Sequence, residues 1–127
     1  MSQPFFVAPY KPTEWEKASI DLEIDPTVYR EHLQNKWPSI VFYEAESGTL
    51  LAWGILGSGN NRIYGALQDN HQIIWLEFPL DEFFLWHRSV IPAKYPLFLF
   101  RSSSWDSIEL TSETVLEDIL RFTGKTT

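Results

Sequence analysis

The sequence predicts an α+β domain: an antiparallel sheet, formed by a four-stranded meander and short flanking strands, with about three helices mainly on one face. Four consecutive runs between residues 40 and 78 are rich in β-branched and aromatic residues, and turn residues separate them. Segments with the apolar spacing of helices precede and follow these runs. Helices that alternate with hairpin-linked strands in this way are typical of α+β domains.

The predicted meander comprises residues 40–46, 49–56, 62–68 and 71–78. Ser47-Gly48 and Asp69-Asn70 are two-residue turn signals, and a glycine-rich loop of five residues lies between the second and third strands. These turn lengths predict a register, because the turn decides which residues face each other across a hairpin. The predicted neighbours are Phe42 with Trp53, Tyr43 with Ala52, Trp53 with Gly65, Gly54 with Tyr64, Leu56 with Arg62, Tyr64 with Trp75, Arg62 with Glu77, and Gln68 with His71.

Alternation along these strands predicts two apolar faces that differ in depth. The deep face, assigned to the core, contains Ile40, Phe42, Leu51, Trp53, Ile55, Ile63, Gly65, Leu67, Ile74, Leu76 and Phe78. The shallow face has small residues at its centre and aromatic residues around them: Val41, Tyr43, Ala45, Ala52, Gly54, Tyr64, Ala66, Ile73 and Trp75. An antiparallel sheet with one wet face alternates apolar with polar residues. We therefore expect something to cover the shallow face.

The remaining elements follow from local signals. Alternation over residues 18–24 predicts a short strand, and Asp25-Pro26 predicts the start of a helix that ends before Trp37-Pro38. A second helix is predicted over residues 80–91, and short strands over residues 97–101 and 107–110. The last helix is expected to begin with Ser112 as its N-cap and to end at Gly124. The predicted order is β-α-ββββ-α-ββ-α, and from the first helix onward it resembles the coarse order of small acidic secretion chaperones.

The first 16 residues predict an extended arm beside a single domain of residues 17–127. Prolines at positions 4, 9 and 12 disfavour a helix and favour an extended path. A disordered tail is usually poor in aromatic residues, but this segment is rich in them. We therefore expect the arm to dock on its own domain or on a second copy through Phe5, Phe6, Tyr10 and Trp15.

Composition disfavours several kinds of partner. The net charge of −7 and the scattered basic residues argue against binding to nucleic acid or to anionic membranes. The absence of cysteine excludes disulfides and thiolate chemistry. The N-terminal residues lack the pattern of a signal peptide, and no apolar stretch reaches the length of a membrane helix. The expected location is the cytoplasm.

The sequence assigns no catalytic residue, no metal ligand and no cofactor. The loop that begins at Gly57 joins two strands, whereas a glycine-rich phosphate-binding motif opens a helix. The three histidines are scattered. Glu77 with His87, and Glu44 with Glu46, are the only pairs that we would test for acid–base chemistry.

Three functions are consistent with these observations. The first is an interaction or assembly module that binds a second copy or another protein through the shallow face and the arm. Its predicted binding residues are Tyr43, Ala52, Gly54, Tyr64, Trp75, Phe5, Phe6, Tyr10 and Trp15. The second is a chaperone-like or immunity-type inhibitor that masks a partner protein. The third is an enzyme without a familiar motif, which would need a deep pocket with converging polar groups.

Overall fold

The computed structural model describes residues 4–14, 21–56, 62–77, 81–101 and 106–124. Within these residues it contains seven strands and three helices, which confirms the predicted fold class and, from the first helix onward, the predicted element order. The strands are β1 (Phe5–Ala8), β2 (Val41–Tyr43), β3 (Thr49–Leu56), β4 (Arg62–Gln68), β5 (Ile74–Leu76), β6 (Leu97–Arg101) and β7 (Ser107–Leu110). The helices are α1 (Pro26–Lys36), α2 (Asp81–Val90) and α3 (Leu116–Thr123).

All described strands belong to one antiparallel sheet in the order β2-β3-β4-β5-β1-β6-β7. The first strand of the chain is therefore internal, and it pairs with β5 on one side and with β6 on the other. It comes from the segment that we predicted to be a separate arm. Pro4 and Pro9 lie just outside β1, so its four residues keep their backbone N–H groups for the two neighbouring strands.

The early strand predicted over residues 18–24 is not formed where the structure describes it. Residues 18–20 lie outside the described residues, and residues 21–24 follow an extended path without a strand ladder. Leu22 and Ile24 are nevertheless buried, and the Ile24 backbone N–H donates to the His71 carbonyl oxygen at 2.8 Å. The alternation at this segment therefore predicts which side chains are buried, although it does not produce a strand.

The predicted register is confirmed for the first two hairpins. Phe42 lies opposite Trp53, Trp53 opposite Gly65, and Gly54 opposite Tyr64. The register between β4 and β5 was predicted wrongly. Ala66 faces Trp75, and the Gln68 backbone N–H donates to the Ile73 carbonyl oxygen, so four residues form the turn instead of two.

This correction displaces three predicted pairs: Tyr64 with Trp75, Arg62 with Glu77, and Gln68 with His71. The physical reason lies in the turn, where the Asn70 side-chain oxygen accepts hydrogen bonds from the backbone of Gln72 and of Ile73. The residue with positive φ is His71, at 63°. Because the shift is two residues, every side chain of β5 keeps its predicted face.

The ends of α1 confirm the sequence prediction, and the start of α3 corrects it. The Asp25 carboxylate accepts a hydrogen bond from the Thr27 N–H at 2.8 Å, and α1 ends before Trp37. Helix α3 begins after Val115, three residues later than the predicted N-cap at Ser112. Hydrogen bonds between Thr111 and Thr114 hold the preceding residues in a turn instead. Gly124 ends α3 in the left-handed conformation, as predicted.

The α1 cap gives a first testable prediction. We expect Asp25→Ala to lower the free energy of unfolding by about 1 kcal/mol, because it removes the acceptor for the first N–H groups of α1. Asp25→Asn is the matched control and should retain most of this stability, since its amide oxygen can still accept. Urea unfolding at neutral pH measures both variants. Equal losses in the two variants would show that the carboxylate charge matters instead of the cap.

All three helices pack on the predicted deep face of the sheet. The Tyr29 ring of α1 lies 5.8 Å from the Trp53 ring, and the Phe84 ring of α2 lies 6.2 Å from that of Phe5. Helix α3 is tied to the same face by Arg101, which donates to the Thr123 carbonyl oxygen at 2.8 Å. The main core therefore lies between this sheet face and the helices.

Trp53 occupies the centre of this core because the residue beside it has no side chain. A Cβ added to Gly65 would lie 2.7 Å from Trp53 Nε1, 2.6 Å from Leu76 Cδ2 and 2.8 Å from the Trp75 carbonyl oxygen. These distances are shorter than van der Waals contact, so Gly65 allows the indole to lie directly on the backbone of β4. The predicted position of Trp53 over Gly65 is confirmed.

Candidate functional site

The sheet face opposite the helices, which we call the open face, carries a continuous row of side chains across all seven described strands. Each residue of the row lies opposite the next one in the strand ladders. From one sheet edge to the other the row is Tyr43, Ala52, Ala66, Trp75, Phe6, Phe100 and Ser107. It includes residues from the predicted shallow face and extends beyond them, because β1 connects the meander to β6 and β7.

Large apolar side chains on the open face are accessible to water. Tyr43 is 41% exposed, Tyr64 is 43% exposed and Val41 is 36% exposed. Trp75 and Phe6 are half-buried. Exposed aromatic residues of this size, next to each other on one face, are the kind of side chains that anchor protein interfaces.

Tyr43 and Tyr64 form one aromatic pair over the small residues of β3. Their ring centroids are 5.6 Å apart, and a Cβ added to Gly54 would lie 3.0 Å from the Tyr43 hydroxyl oxygen. Gly54 therefore makes room for the Tyr43 ring. Partial desolvation raises the pKa of Tyr43, a hydrogen bond with Tyr64 acts in the same direction, and the positive charge of Arg62 acts in the opposite one. The two hydroxyls thus belong to one polar cluster with Arg62.

A second aromatic pair lies on the other half of the open face. The rings of Phe6 and Phe100 are stacked at 5.7 Å, with 19° between their planes. Phe98 lies two residues before Phe100 on β6 and on the same face, opposite Ala8 of β1 and Glu109 of β7. The Lys11 ammonium lies 6.0 Å from the centre of the Phe98 ring. The residues just after β1 therefore shield part of this half.

The structure brings most of the predicted binding residues together. Those that share the open face are Tyr43, Ala52, Gly54, Tyr64, Trp75 and Phe6. Phe5 lies on the helix side instead, buried against Phe84, because neighbouring residues of a strand point to opposite faces. Tyr10 is half-buried after β1, and burial raises its pKa. Trp15 lies outside the described residues.

Sequence reasoning missed Phe98 and Phe100 of β6. All but the last residue of the run over residues 97–101 are apolar, which predicts a buried strand but does not show which side chains lie on which face. In the structure Leu97 and Leu99 are fully buried on the helix side, while Phe98 and Phe100 are half-buried on the open face. The signal that could have identified them is the alternation of leucine with phenylalanine along this run.

A cleft of about 800 Å³ lies between α2, the segment that follows it, and the end of β7. Its most prominent polar group is Arg88, which donates hydrogen bonds to the carbonyl oxygens of Tyr95, Leu110, Ile91 and Pro92. The threonines at its rim hydrogen-bond to each other. Because backbone carbonyl oxygens already bind this guanidinium, we interpret Arg88 as a structural residue that holds α2 to the segment after it and to β7.

Of the two pairs that we would test for acid–base chemistry, one contains a buried histidine and the other lies at the surface. His87 is fully buried, and its Nδ1 lies 2.8 Å from the Tyr29 hydroxyl oxygen on the helix side. Glu77 follows β5, where its backbone N–H donates to the Tyr64 carbonyl oxygen. Glu44 and Glu46 are exposed in the turn after β2. The described residues contain no group of three or more side chains that could hold a metal ion.

Among the described helices, none has the length and apolar character needed to cross a membrane. Comparisons of the chain with protein-family models, with curated proteins and with solved structures find no match.

Proposed function

We propose that the protein is an interaction module that binds a protein partner through the open face of its sheet. The observation that supports this proposal is the continuous apolar row from Tyr43 to Phe100, which lies on the face opposite the described helices and has exposed aromatic rings. Monomeric proteins rarely expose an apolar patch larger than a few hundred Å², and such patches usually mark interaction sites.

The relief of the open face suits close packing by a flat protein surface. Ala52 and Ala66 lie at the centre of the β3–β4 ladder, and the larger aromatic side chains lie on either side of them. Ala66 is buried and Ala52 is half-buried, so the contact area comes from the tyrosine and tryptophan rings around them, which lose little side-chain entropy on binding.

The charge of the chain favours protein over nucleic acid as the partner. The net charge is −7, and among the described residues the cations near the open face are Arg62 and Lys11, too few for a phosphate-binding footprint. The open face therefore offers apolar contact area with little electrostatic attraction for a polyanion.

The test places a charge at the centre of the open face. We expect Ala52→Arg to abolish binding, because its guanidinium would enter the apolar contact unpaired, while the core on the other face stays intact. Ala93→Arg is the matched control, since Ala93 is exposed in the segment after α2. Light scattering of the purified proteins measures self-association, and immobilised proteins exposed to extract of the native cells measure capture of other partners.

The proposal is supported if an association is lost in Ala52→Arg and kept in Ala93→Arg, with unchanged circular dichroism in both variants. It is overturned if wild type shows no association of either kind, or if both variants bind as wild type does.

A further inference from the structure

We infer that the turn over residues 111–114 closes the outer edge of β7 and prevents a further strand from pairing with it. The backbone groups that β7 turns outward, the hydrogen bonds of Thr114 and the hollows beside this strand support the inference. The edge of the sheet is separate from the open face, so the two surfaces can be tested independently.

The direction of each backbone group at the edges follows from the strand registers. In the described part of the chain, β2 and β7 are the two edge strands of the sheet. Successive residues of an antiparallel strand direct their N–H and C=O groups to opposite neighbours. The Glu77 N–H donates to the Tyr64 carbonyl oxygen, which fixes this alternation in β4, and the registers extend it to both edges. The residues whose backbone groups point away from the sheet are Phe42 in β2, and Ser107 and Glu109 in β7.

β7 is therefore the edge strand that offers more to an incoming strand. Its two outward residues present two donors and two acceptors, whereas the three residues of β2 present one of each. Outward groups of this kind act as a template for pairing with another chain, and proteins that stay monomeric cover or interrupt them.

Thr114 covers the middle of the β7 edge. Its Oγ1 lies 3.4 Å from the carbonyl oxygen of Glu109, which agrees with the outward direction of that carbonyl, and it accepts a hydrogen bond from the Thr111 N–H at 2.8 Å. An incoming strand would have to place its own N–H about 2.9 Å from the same carbonyl oxygen. It would therefore have to displace the Thr114 side chain.

The hollows beside β7 also identify Thr114 as the obstacle. One is the cleft of about 800 Å³ next to α2, and the other, of about 400 Å³, has Ile108 and Phe122 in its walls. Thr114 and Glu109 line both hollows, so the two meet at this pair. Without the Thr114 side chain they would form one longer groove along the outer edge of β7, which is the shape that an extended strand requires.

This role gives a reason for the late start of α3. Ser112 suits an N-cap and Glu113 suits a first turn, but the helix begins only at Leu116. The hydrogen bonds of the turn hold Thr114 beside Glu109 instead. Residues 111–114 therefore cover the neighbouring strand and do not extend α3.

The experiment removes the cover in an Ala52→Arg background, so that association through the open face does not contribute. We expect Thr114→Ala to form dimers or larger species in sedimentation velocity, at concentrations where the parent is monomeric, because the hydroxyl and the methyl group leave the edge. Thr114→Ser is the matched control. It keeps the hydroxyl group and should sediment as the parent does.

Ser107→Pro tests whether the new species form through β7. It removes an outward N–H and keeps the hydrogen bonds between β6 and β7, since the Ser107 backbone faces away from β6. Added to Thr114→Ala, it should restore the monomer. If Thr114→Ala sediments as the parent does, or if Ser107→Pro leaves its association unchanged, the turn is not what closes the edge.

Hydrogen exchange separates strand pairing from general aggregation of a destabilised variant. The Glu109 N–H points outward, so pairing with another strand should slow its exchange in Thr114→Ala relative to Thr114→Ser. Equal or faster exchange at Glu109 in an associated Thr114→Ala would overturn the inference. None of these outcomes depends on whether the open face binds a partner.

Discussion

Replacing Trp53 with alanine should lower the free energy of unfolding by about 3 to 5 kcal/mol, the usual range for a fully buried tryptophan. The indole is completely buried, and its ring contacts Tyr29 of α1 at 5.8 Å and Phe83 of α2 at 6.0 Å. It also fills the space above Gly65. Neither the helices nor the sheet can close this space without moving, so the variant keeps a cavity and loses contacts to three elements.

Trp75→Ala is the matched control for this prediction. Trp75 is the same residue type on the same sheet, but it is half-buried on the open face. It should cost less than half as much as Trp53→Ala, because part of its ring is already in water. Urea unfolding at low protein concentration, where association does not contribute, compares the two. Equal losses would contradict the assignment of the core to the helix side.

Local turn chemistry explains both the success and the failure of the predicted register. At Ser47-Gly48 the glycine has φ 88°, so a short turn is available and the predicted pairs form. After β4, Asp69-Asn70 suggested a second short turn, but the Asn70 side chain binds the backbone two and three residues later. That hydrogen bonding widens the turn, and spacing alone does not reveal it. The face of each side chain was still predicted correctly, because a register shift of two residues leaves every side chain on the same face of the sheet.

The position of β1 could not be predicted from its own residues. Prolines on both sides of Phe5–Ala8 indicate an extended segment, and an extended segment can lie on a sheet face or join the sheet as a strand. The choice depends on whether β5 and β6 leave a gap of one strand between them, which is a tertiary property. This placement also explains why Phe6 reached the predicted site and Phe5 did not.

The meander half of the open face was predicted because its strands are consecutive and its turns are short. The half of the open face formed by β1 and β6 was not predicted as part of the sheet, since those two strands are about 90 residues apart in sequence. Its aromatic residues come together through pairings that no local pattern encodes. Sequence reasoning therefore identified a shallow patch, and the long-range pairing extends it across the whole sheet.

Acidification should destabilise the protein through His87. Burial lowers the pKa of His87 from 6.5 to about 3, and the neighbouring positive charge of Arg88 acts in the same direction. The ring is fully buried, its Nδ1 is bonded to the Tyr29 hydroxyl, and its Nε2 has no hydrogen-bond partner among the described residues. Burial raises the pKa of Tyr29, so that hydroxyl also stays neutral. No described carboxylate forms an ion pair with His87 to favour the imidazolium.

The sign of the effect follows from proton uptake. Between pH 6.5 and about 3 the unfolded chain binds a proton at His87 that the folded chain does not bind, so stability is complete above pH 6.5 and falls as the pH decreases. At one pKa unit per 1.36 kcal/mol, the loss should be about 2 to 3 kcal/mol by pH 4.5. Because the acidic side chains also titrate in this range, the comparison must isolate one residue.

His87→Gln isolates it, because the amide can still hydrogen-bond the Tyr29 hydroxyl and does not titrate. The difference in unfolding free energy between the variant and wild type at pH 7.5 serves as the reference. At pH 4.5 this difference should shift in favour of the variant by about 2 to 3 kcal/mol. His32→Gln, on the exposed surface of α1, is the matched control and should follow wild type at both pH values. Urea unfolding measures the difference in unfolding free energy between each of the two variants and wild type at both pH values. If His87→Gln and His32→Gln change equally with pH, the buried imidazole is not the acid-sensitive group of the core.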